Sequence, residues 1–274
     1  MADYFIGDIQ GCFNGLQHAL AEIGYCGGKD TLWLTGDLVA RGENSLATIA
    51  FIIKNDSHIR TVLGNHDLHL LSVANQVKSA NPKDKLQDLL SSPNIVKICD
   101  WLRHQPLLLE LPDGSGFMSH AGLPPNWSIG DANIFAKEIH KQLIHKDYVS
   151  FLKSMYSNKP DFWQPDLSVS EQLVYAVNGL TRMRYCTKEG KLDLSYKEAP
   201  NTLSPDSKLV PWFEFQADRF NDTKWVFGHW ASLMGQSVNP NIIPLDTGYV
   251  WGNYLTVLNW QTKQTFKIMA ERSP

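Results

Sequence analysis

The chain has 274 residues, of which 43% are hydrophobic and 19% are charged, and its formal net charge is −3. This length can bury a substantial core, the composition is ordinary for a soluble globular protein, and no apolar run approaches the roughly 18 residues needed to span a bilayer. The small net charge gives no global attraction to nucleic acid or to anionic membranes, so a phosphate-bearing substrate must be held by local cations or metal ions.

The first 70 residues alternate predicted strands and helices. Strands are expected at residues 3–7, 31–35 and 59–63, and amphipathic helices at residues 12–23 and 45–54. This β-α-β-α-β order predicts parallel strands that are joined by right-handed crossovers.

The middle of the chain predicts helices and one hairpin. Residues 67–104 are expected to be mostly helical, with breaks at Pro82 and Pro93, and the polar stretch 73–85 is expected to be an exposed, mobile excursion. Strands at 107–111 and 116–120 should form a hairpin around the turn at 112–115. Helices should follow at 131–145 and 147–156.

The last part of the chain combines a region of weak periodicity with four further strands. Residues 157–215 are rich in Pro, Tyr, Trp and Asn and are interpreted as a cap that faces the substrate rather than as a separate fold. Strands at 225–228, 242–246, 253–260 and 265–269, joined by short turns, predict a second, largely antiparallel sheet. We therefore expect a single domain over residues 1–274, with a cap at about 157–215.

The cysteines and the N-terminus bear on location. The four cysteines lie far apart and form no C-x-x-C pair, which argues against a zinc knuckle or a disulfide framework and suits a reducing compartment. The N-terminus leads directly into a predicted strand, without the basic and apolar regions of a signal peptide. These features predict a cytoplasmic protein.

Four short polar clusters follow predicted strands, at residues 7–11, 36–42, 64–67 and 119–122. Because ligands bind beyond the carboxyl ends of the strands in an open α/β sheet, Asp8, Asp37, Asn65 and His120 should meet at one place. Two carboxylates, an amide oxygen and an imidazole suit a divalent metal ion. Each cluster alone is usually only turn chemistry, and residues 64–67 alone could be a helix N-cap, but four clusters at four strand ends favour a metal site.

The motifs resemble those of a known family. GD-x-x-G at 7–11, GDLVARG at 36–42, GNHD at 64–67, SHAG at 119–122 and GHW at 228–230 resemble the metallophosphoesterases of the phosphoprotein phosphatase superfamily. TRMRYC at 181–186 and LDTGYVWG at 245–252 resemble, more narrowly, its branch of bacterial symmetrical bis(5′-nucleosyl)-tetraphosphatases. The resemblance extends over about residues 3–268. It implies an α/β fold, namely a calcineurin-like sandwich of two mixed β-sheets flanked by helices, with a cap insertion of helices and loops.

The resemblance also implies roles for individual residues. Asp37 would bridge two divalent metal ions, and the remaining ligands would be Asp8 and Gln10 at the first ion and Asn65, His120 and His229 at the second. His66 would be the general acid, and phosphate oxygens would be held by Arg41 and by one or both of Arg182 and Arg184. The implied chemistry is in-line attack of a metal-bound hydroxide on phosphorus, without a covalent enzyme intermediate.

Two positions depart from the superfamily pattern. Gln10 stands where histidine is usual, and because an amide oxygen binds borderline metals less well than imidazole, manganese is the expected ion, with cobalt or magnesium as alternatives. Ala40 stands where protein phosphatases carry the aspartate that orients the catalytic histidine, so His66 must be oriented in another way. Ala40 also favours the dinucleoside branch over a protein phosphatase.

Several of these residues have a plainer interpretation. His229 could be a strand-end histidine bonded to backbone, and Arg182 and Arg184 could be surface cations. Asp246 could equally be a turn acid before Gly248 or a residue near the metal ions. Most of the nine tryptophans should be packing residues. The three best placed to stack on an adenine are Trp163, Trp212 and Trp230.

The first functional hypothesis is a metal-dependent hydrolase that cleaves diadenosine tetraphosphate symmetrically into two ADP. The alternatives are a Ser/Thr protein phosphatase, an enzyme that removes nucleoside-tetraphosphate caps from RNA 5′ ends, and a catalytically dead scaffold used as a binding module. The presence of Asp37 and His66 argues against the dead scaffold. The expected partner is a dinucleoside polyphosphate or, in the decapping alternative, capped RNA, with no membrane and no obligatory protein partner.

Overall fold

The structure, a computed structural model, describes residues 1–270. In this part of the chain the α-helices are α1 (Phe13–Glu22), α2 (Ser45–Lys54), α3 (Asn65–Ala74), α4 (Gln87–Leu90), α5 (Ile95–Arg103), α6 (Ile129–Ile144), α7 (Tyr148–Ser154) and α8 (Val169–Thr181). The strands are β1 (Asp3–Ile6), β2 (Thr31–Leu34), β3 (Ile59–Thr61), β4 (Leu108–Glu110), β5 (Gly116–Ser119), β6 (Tyr185–Thr187), β7 (Leu192–Asp193), β8 (Leu209–Pro211), β9 (Lys224–Phe227), β10 (Ile242–Pro244), β11 (Tyr254–Asn259) and β12 (Thr265–Met269).

Five strands form the first sheet, in the order β12-β11-β1-β2-β3. The strands β1, β2 and β3 are parallel, and β11 and β12 extend the sheet in antiparallel register. The connections between the parallel strands carry α1 and α2, which bury apolar residues at helical spacing, such as Leu16 and Leu20 in α1. The predicted β-α-β-α-β unit is confirmed.

The second sheet has four strands, in the order β10-β9-β5-β4. β4 and β5 form the predicted antiparallel hairpin, whereas β5, β9 and β10 run parallel. The prediction that the last four strands form one largely antiparallel sheet is therefore wrong, since β11 and β12 belong to the first sheet. The reason is that β1 carries the fully buried Phe5 and Ile6, and without β11 this core strand would be an unpaired edge.

The two sheets pack face to face. Phe5, Trp33 and Leu258 from the first sheet form one buried cluster with Met118 and Val226 from the second. The predicted sandwich of two mixed sheets is confirmed, and a larger apolar core lies between the sheets and the flanking helices. The loops that follow strands of both sheets consequently lie close together at one edge of the sandwich.

The region 157–215 contains an α-helix and a small sheet that the sequence analysis missed. α8 begins at a capping box, in which Ser168 Oγ accepts from the Glu171 N–H and the Glu171 carboxylate accepts from the Ser168 N–H. Most of α8 is buried, and its Leu180 carbonyl accepts from the Ala121 N–H. β6, β7 and β8 form an antiparallel sheet in the order β7-β6-β8. Since α8 packs into the body of the protein, only the remainder of this region is free to act as a cap.

The segment 73–85 is only partly the exposed excursion that was predicted. Residues 78–83 are exposed, but Val73, which belongs to α3, and Asp84 are buried. The Asp84 carbonyl accepts from the Arg41 N–H at 2.8 Å, so the end of the segment is bound to the loop after β2. The expectation of an exposed excursion is therefore wrong at Asp84, because its carboxylate forms an ion pair with Arg41.

Two simpler expectations concern the thiols and the membrane. All four cysteines are free. Within residues 1–270, no helix is both long and apolar enough to cross a membrane.

Candidate metal centre

The polar clusters of the sequence converge at the edge of the sandwich where β1, β2, β3, β5 and β9 end. Asp8, Asp37 and His120 each offer a ligand atom, and these atoms lie within 4.8 Å of one another. Asn65 Oδ1 lies 3.3 Å from His120 Nε2. The structure therefore brings together the four residues that the sequence analysis expected to meet, and His229 joins them from the loop after β9.

Two glycines allow these loops to approach so closely. A Cβ atom at Gly228 would collide with the carboxylate of Asp8, and one at Gly64 would collide with the carboxylate and backbone of Asp37. Any side chain at either position would push a candidate ligand out of place. The glycines of the motifs are thus explained by contact with the site rather than by turn geometry alone.

The two imidazoles at the site are oriented by backbone carbonyls. His120 Nδ1 donates to the Thr35 carbonyl at 2.7 Å, and His229 Nε2 donates to the Arg182 carbonyl at 2.8 Å. Because a carbonyl oxygen only accepts, each of these ring nitrogens carries a proton. Burial lowers the pKa of both histidines, so His120 Nε2 and His229 Nδ1 hold free lone pairs directed into the site.

Asn65 faces both of these lone pairs. Its Oδ1 has only acceptors around it, namely His229 Nδ1 at 2.9 Å, His120 Nε2 at 3.3 Å and the Thr181 carbonyl at 3.1 Å. The amide would donate to these atoms only if its oxygen and nitrogen exchanged places. Three acceptor atoms directed at one another are unfavourable unless a cation lies among them. The amide oxygen and the two imidazole nitrogens therefore fit a divalent metal ion.

Buried carboxylates supply the negative charge of the site. Burial raises the pKa of Asp8, and the charges of Asp246 and Asp37 raise it further. Burial also raises the pKa of Asp246 to about 6. Asp8 accepts from Thr35 Oγ1 at 3.2 Å and from the His229 N–H at 3.1 Å, which positions its carboxylate without neutralising it. Such a concentration of buried carboxylates is stabilised by a bound cation, and so this donor set also fits a divalent metal ion.

Asp246, for which the sequence left open a turn role and a role near the metal ions, lies at the site. It lies just after β10 and lines the same cavity, of about 740 Å³, as Asp8, Gln10 and Asp37. Its carboxylate accepts from the Gly248 N–H at 2.9 Å, so the turn interpretation is also correct. The signal that identifies it is the same as for the other clusters, a polar residue directly after a buried strand.

Gln10 lies beside Asp37. Its backbone is left-handed, with φ of 48°, and its N–H donates to the Asp37 carbonyl at 2.8 Å. Its side-chain nitrogen donates to Asp37 Oδ2 at 3.4 Å. Both contacts place the amide next to the carboxylate for which the bridging role was predicted.

His66 stands at the start of α3, next to Asp37. Its N–H donates to Asp37 Oδ1 at 2.8 Å, and its Nε2 lies 4.0 Å from Asp37 Oδ2. Its Nδ1 is buried and has no hydrogen-bond partner among residues 1–270. Ala40 is fully buried and supplies no acceptor to the ring, so the start of α3 and the bond from the His66 N–H to Asp37, rather than an acceptor for Nδ1, set the position of His66.

Asp67 is a positioning residue that the sequence analysis missed. Its carboxylate accepts from the Leu38 N–H and from the Gly64 N–H, both at 2.9 Å. It therefore ties the loop after β2 to the loop after β3. The GNHD motif contains this residue, but its contact with Leu38 depends on the packing of two loops that are 29 residues apart.

The three predicted arginines all line the 740 Å³ cavity. Arg184 donates to the His229 carbonyl at 2.7 Å, and Arg182 donates to Asn178 Oδ1 at 2.7 Å. Arg41 Nε lies 3.0 Å from Asp84 Oδ1, an ion pair that no sequence motif indicated. The alternative that Arg182 and Arg184 are surface cations does not fit, because burial lowers the pKa of both.

The tryptophans proposed to stack on an adenine are not in the site. Trp212 and Trp230 are buried in the core, and Trp163 packs against Trp127 at 5.2 Å between ring centroids. That idea is wrong, because these rings are the packing residues that most tryptophans were expected to be. Trp251 lines the cavity instead, is 62% exposed, and lies 5.5 Å from the Arg41 guanidinium.

Comparison with known proteins agrees with this geometry. Residues 4–233 match the family of calcineurin-like phosphoesterases. A protein of Colwellia psychrerythraea named symmetrical bis(5′-nucleosyl)-tetraphosphatase is 44% identical over 286 aligned residues, which cover 100% of this chain and 100% of that protein. A solved structure provisionally described as a diadenosine tetraphosphatase has a TM-score of 0.65 at 21% identity and covers 99% of this chain and 95% of its own. A serine/threonine phosphatase from Saccharomyces cerevisiae has a TM-score of 0.55 at 16% identity, covering 100% and 81%. The two structural similarities bear on the fold alone.

Proposed function

Because the chain belongs to the calcineurin-like phosphoesterase family, we propose that it is a metal-dependent hydrolase that cleaves diadenosine tetraphosphate symmetrically into two ADP. The observation that carries the proposal is the 44% identity, over the full length of both chains, to a protein named for this activity. The fold alone does not select this substrate, since it is shared with a protein phosphatase. The buried donor set supports the metal dependence.

We propose two divalent ions, with manganese first and cobalt or magnesium as alternatives. Asp37 would contribute to both sites, and the other ligands would be Asp8 and Gln10 at one site and Asn65, His120 and His229 at the other. The mixture of carboxylate, amide and imidazole donors suits manganese. When bound, such ions polarise phosphoryl oxygens and make water a nucleophile at neutral pH.

The side chains of this chain supply the rest of the chemistry. Three arginines line the cavity, namely Arg41, Arg182 and Arg184. Their contacts within the protein leave N–H groups that can bind the oxygens of a polyphosphate. His66 lines the same cavity as these arginines and can donate a proton to the oxygen that leaves phosphorus. Water adds to one central phosphorus atom, the bridging oxygen departs on the other half, and two nucleoside diphosphates result.

The cap also remains part of the proposal, in a narrower form. Leu194, Lys197 and Glu198 belong to the region 157–215 and line the same cavity as Asp8 and Asp37. This supports a substrate-facing role for the part of the region that follows α8. We retain the prediction of a single domain over residues 1–274, of which the last four lie outside the described residues.

Two alternative activities use the same phosphorus chemistry. Ser/Thr phosphatase activity is not favoured, because Ala40 offers no acceptor to Nδ1 of His66. Removal of nucleoside-tetraphosphate caps from RNA breaks the same type of bond and stays a prediction, as does a cytoplasmic location.

The test is to incubate the metal-free protein with manganese and diadenosine tetraphosphate in ¹⁸O-labelled water and to resolve the products. We expect ADP alone, with ¹⁸O in one of the two ADP molecules of each turnover. ATP plus AMP would contradict symmetrical cleavage. A phosphoserine peptide serves as the comparison substrate, and faster turnover of the peptide would contradict the choice of substrate.

A further inference from the structure

A second cavity adjoins the one that holds the candidate metal ligands. We call it the rear cavity; its volume is about 450 Å³, and its lining includes Leu68, Ser79, Met155, Tyr156 and Val177. The larger cavity, of about 740 Å³, is called the front cavity. The residues that line both cavities are Arg41, Asn65, His66 and Arg182. The two cavities therefore meet at the predicted general acid and at two of the arginines predicted to bind phosphate.

The two cavities differ in chemical character. The front cavity contains the carboxylates of Asp8, Asp37 and Asp246. Among the described residues, the rear cavity has one carboxylate, Asp84, which is already paired with Arg41 at 3.0 Å. The rest of its lining combines apolar side chains and the Tyr156 ring with neutral polar groups such as Ser79 and Asn81, and with arginines at the boundary to the front cavity. Such a mixed lining suits an aromatic base carried on a phosphate chain.

We propose that the rear cavity binds the nucleoside of the departing diphosphate, while the front cavity holds the half of diadenosine tetraphosphate whose phosphorus is attacked. This inference rests on the proposed function. In-line displacement puts the nucleophile and the leaving oxygen on opposite sides of phosphorus. The nucleophile belongs on the side of the candidate metal ligands, in the front cavity. The leaving oxygen is then directed past His66 towards the rear cavity.

The lining of the rear cavity suits this occupant. Leu68, Met155 and Val177 present an apolar floor, and the Tyr156 ring stands beside it with its hydroxyl donating to the Leu68 carbonyl at 3.4 Å. The Tyr156 ring is also contacted by Lys78, whose ammonium lies 4.5 Å from the ring centroid and which is not itself in the lining. A volume of about 450 Å³ is within the range of small-molecule sites. The arrangement also accounts for symmetrical cleavage, because one nucleoside diphosphate lies on each side of His66.

The test fills the rear cavity without touching the catalytic residues. Ser79 is exposed and lines this cavity, so Ser79→Trp would occupy its mouth, whereas the neighbouring Ala80 is exposed and is not part of the lining, so Ala80→Trp is the matched control. The substrates are diadenosine tetraphosphate, with two nucleosides, and adenosine 5′-tetraphosphate, with one. A diadenosine tetraphosphate analogue with a methylene group in place of the central bridging oxygen measures binding by calorimetry.

We expect Ser79→Trp to lower kcat/KM for diadenosine tetraphosphate, and to weaken binding of the analogue, by about tenfold or more, the effect of losing one base contact. The same variant should change kcat/KM for adenosine tetraphosphate by less than about threefold, because its single nucleoside can lie in the front cavity. Ala80→Trp should leave both substrates unchanged.

The outcomes separate this inference from the proposed function. If the unaltered protein forms ADP from diadenosine tetraphosphate but Ser79→Trp affects both substrates equally, or neither, the rear cavity does not hold the leaving nucleoside. If the unaltered protein forms no ADP, the proposed function and this inference are both overturned. A larger loss of kcat/KM on diadenosine tetraphosphate than on adenosine tetraphosphate in Ser79→Trp supports the rear cavity as the site of the leaving nucleoside.

Discussion

The backbone N–H of His229 donates to both carboxylate oxygens of Asp8, at 3.1 Å each, across 221 residues of sequence. Asp8 follows β1 in the first sheet and His229 follows β9 in the second, so this contact joins the two sheets at the site. It also shows why neither motif alone specifies the centre. Each residue is held in position by the loop that carries the other.

We predict that Asp37→Asn abolishes turnover and leaves the fold intact. An asparagine keeps an oxygen that can accept from the His66 N–H but lacks the charge needed to hold two cations. Metal affinity should fall by more than about 100-fold, beyond the loss typical of residues that only support a ligand. Calorimetric metal titration and circular dichroism check the two parts. Asp113→Asn, in the exposed turn after β4, is the control, and normal activity with two ions retained in Asp37→Asn would remove this residue from the bridging role.

Gln10→His should raise the affinity of the first metal site. Imidazole binds borderline metals better than an amide oxygen, and histidine tolerates the left-handed φ of 48° at this position better than most residues. Cobalt and manganese titrations of the metal-free protein measure the change, with Gln10→Ala expected to shift affinity in the opposite direction. Equal or weaker binding in Gln10→His would show that Gln10 is not a ligand.

His66→Ala should lower kcat by roughly 10²–10⁴-fold, the usual effect of losing a general acid. The loss should be larger on an aryl phosphate ester than on diadenosine tetraphosphate, because ADP is already a good leaving group. KM should change little, since the arginines and metal ions supply most of the binding. Steady-state kinetics on both substrates, together with metal content, checks this. Equal slowing of both substrates with loss of metal would make His66 an orienting residue.

Asp84→Asn should weaken catalysis through Arg41. The Asp84 carboxylate lies 3.0 Å from Arg41 Nε, and a displaced guanidinium would lower kcat/KM by roughly 10–100-fold. Metal affinity should not change, because Asp84 lies outside the donor set. The matched control is Asp100→Asn, which removes the exposed ion pair with Arg103. An unchanged kcat/KM would mean that Arg41 is held by its other contacts.

The metal-free protein should lose stability as the pH rises from about 6.5 to about 8. Burial raises the folded-state pKa of Asp67 to about 8, and the charge of Asp37 adds to this, so the folded chain retains a proton that the unfolded chain has released. His120 and His229, whose pKa values burial lowers, oppose this trend only below about 6.5, where the unfolded imidazoles become charged. Thermal unfolding after chelation should give a lower Tm at the higher pH, and manganese should raise Tm most at that pH. A Tm that rises over this interval would contradict the argument.

The strand-end clusters were predictable because a buried strand followed by glycine and a polar residue is a local pattern. α8 was missed, although its Ser168 and Glu171 capping box is equally local, because the surrounding Pro and aromatic residues obscured its periodicity. The pairing of β11 with β1 joins residues about 250 positions apart, as in Tyr4 beside Asn259, and no local pattern encodes it.

The chemistry available to the site follows from the amino-acid sequence, since residue type and position after a strand specify which donors can be present. The folded chain settled which further polar groups join them: Asp67 as the link between two loops, Asp84 as the partner of Arg41, and Asp246 as a third carboxylate rather than a turn acid alone. The physical reason is that a buried charge must be matched by groups that touch it, and contact is decided by the packing of the two sheets and their loops rather than by spacing along the chain.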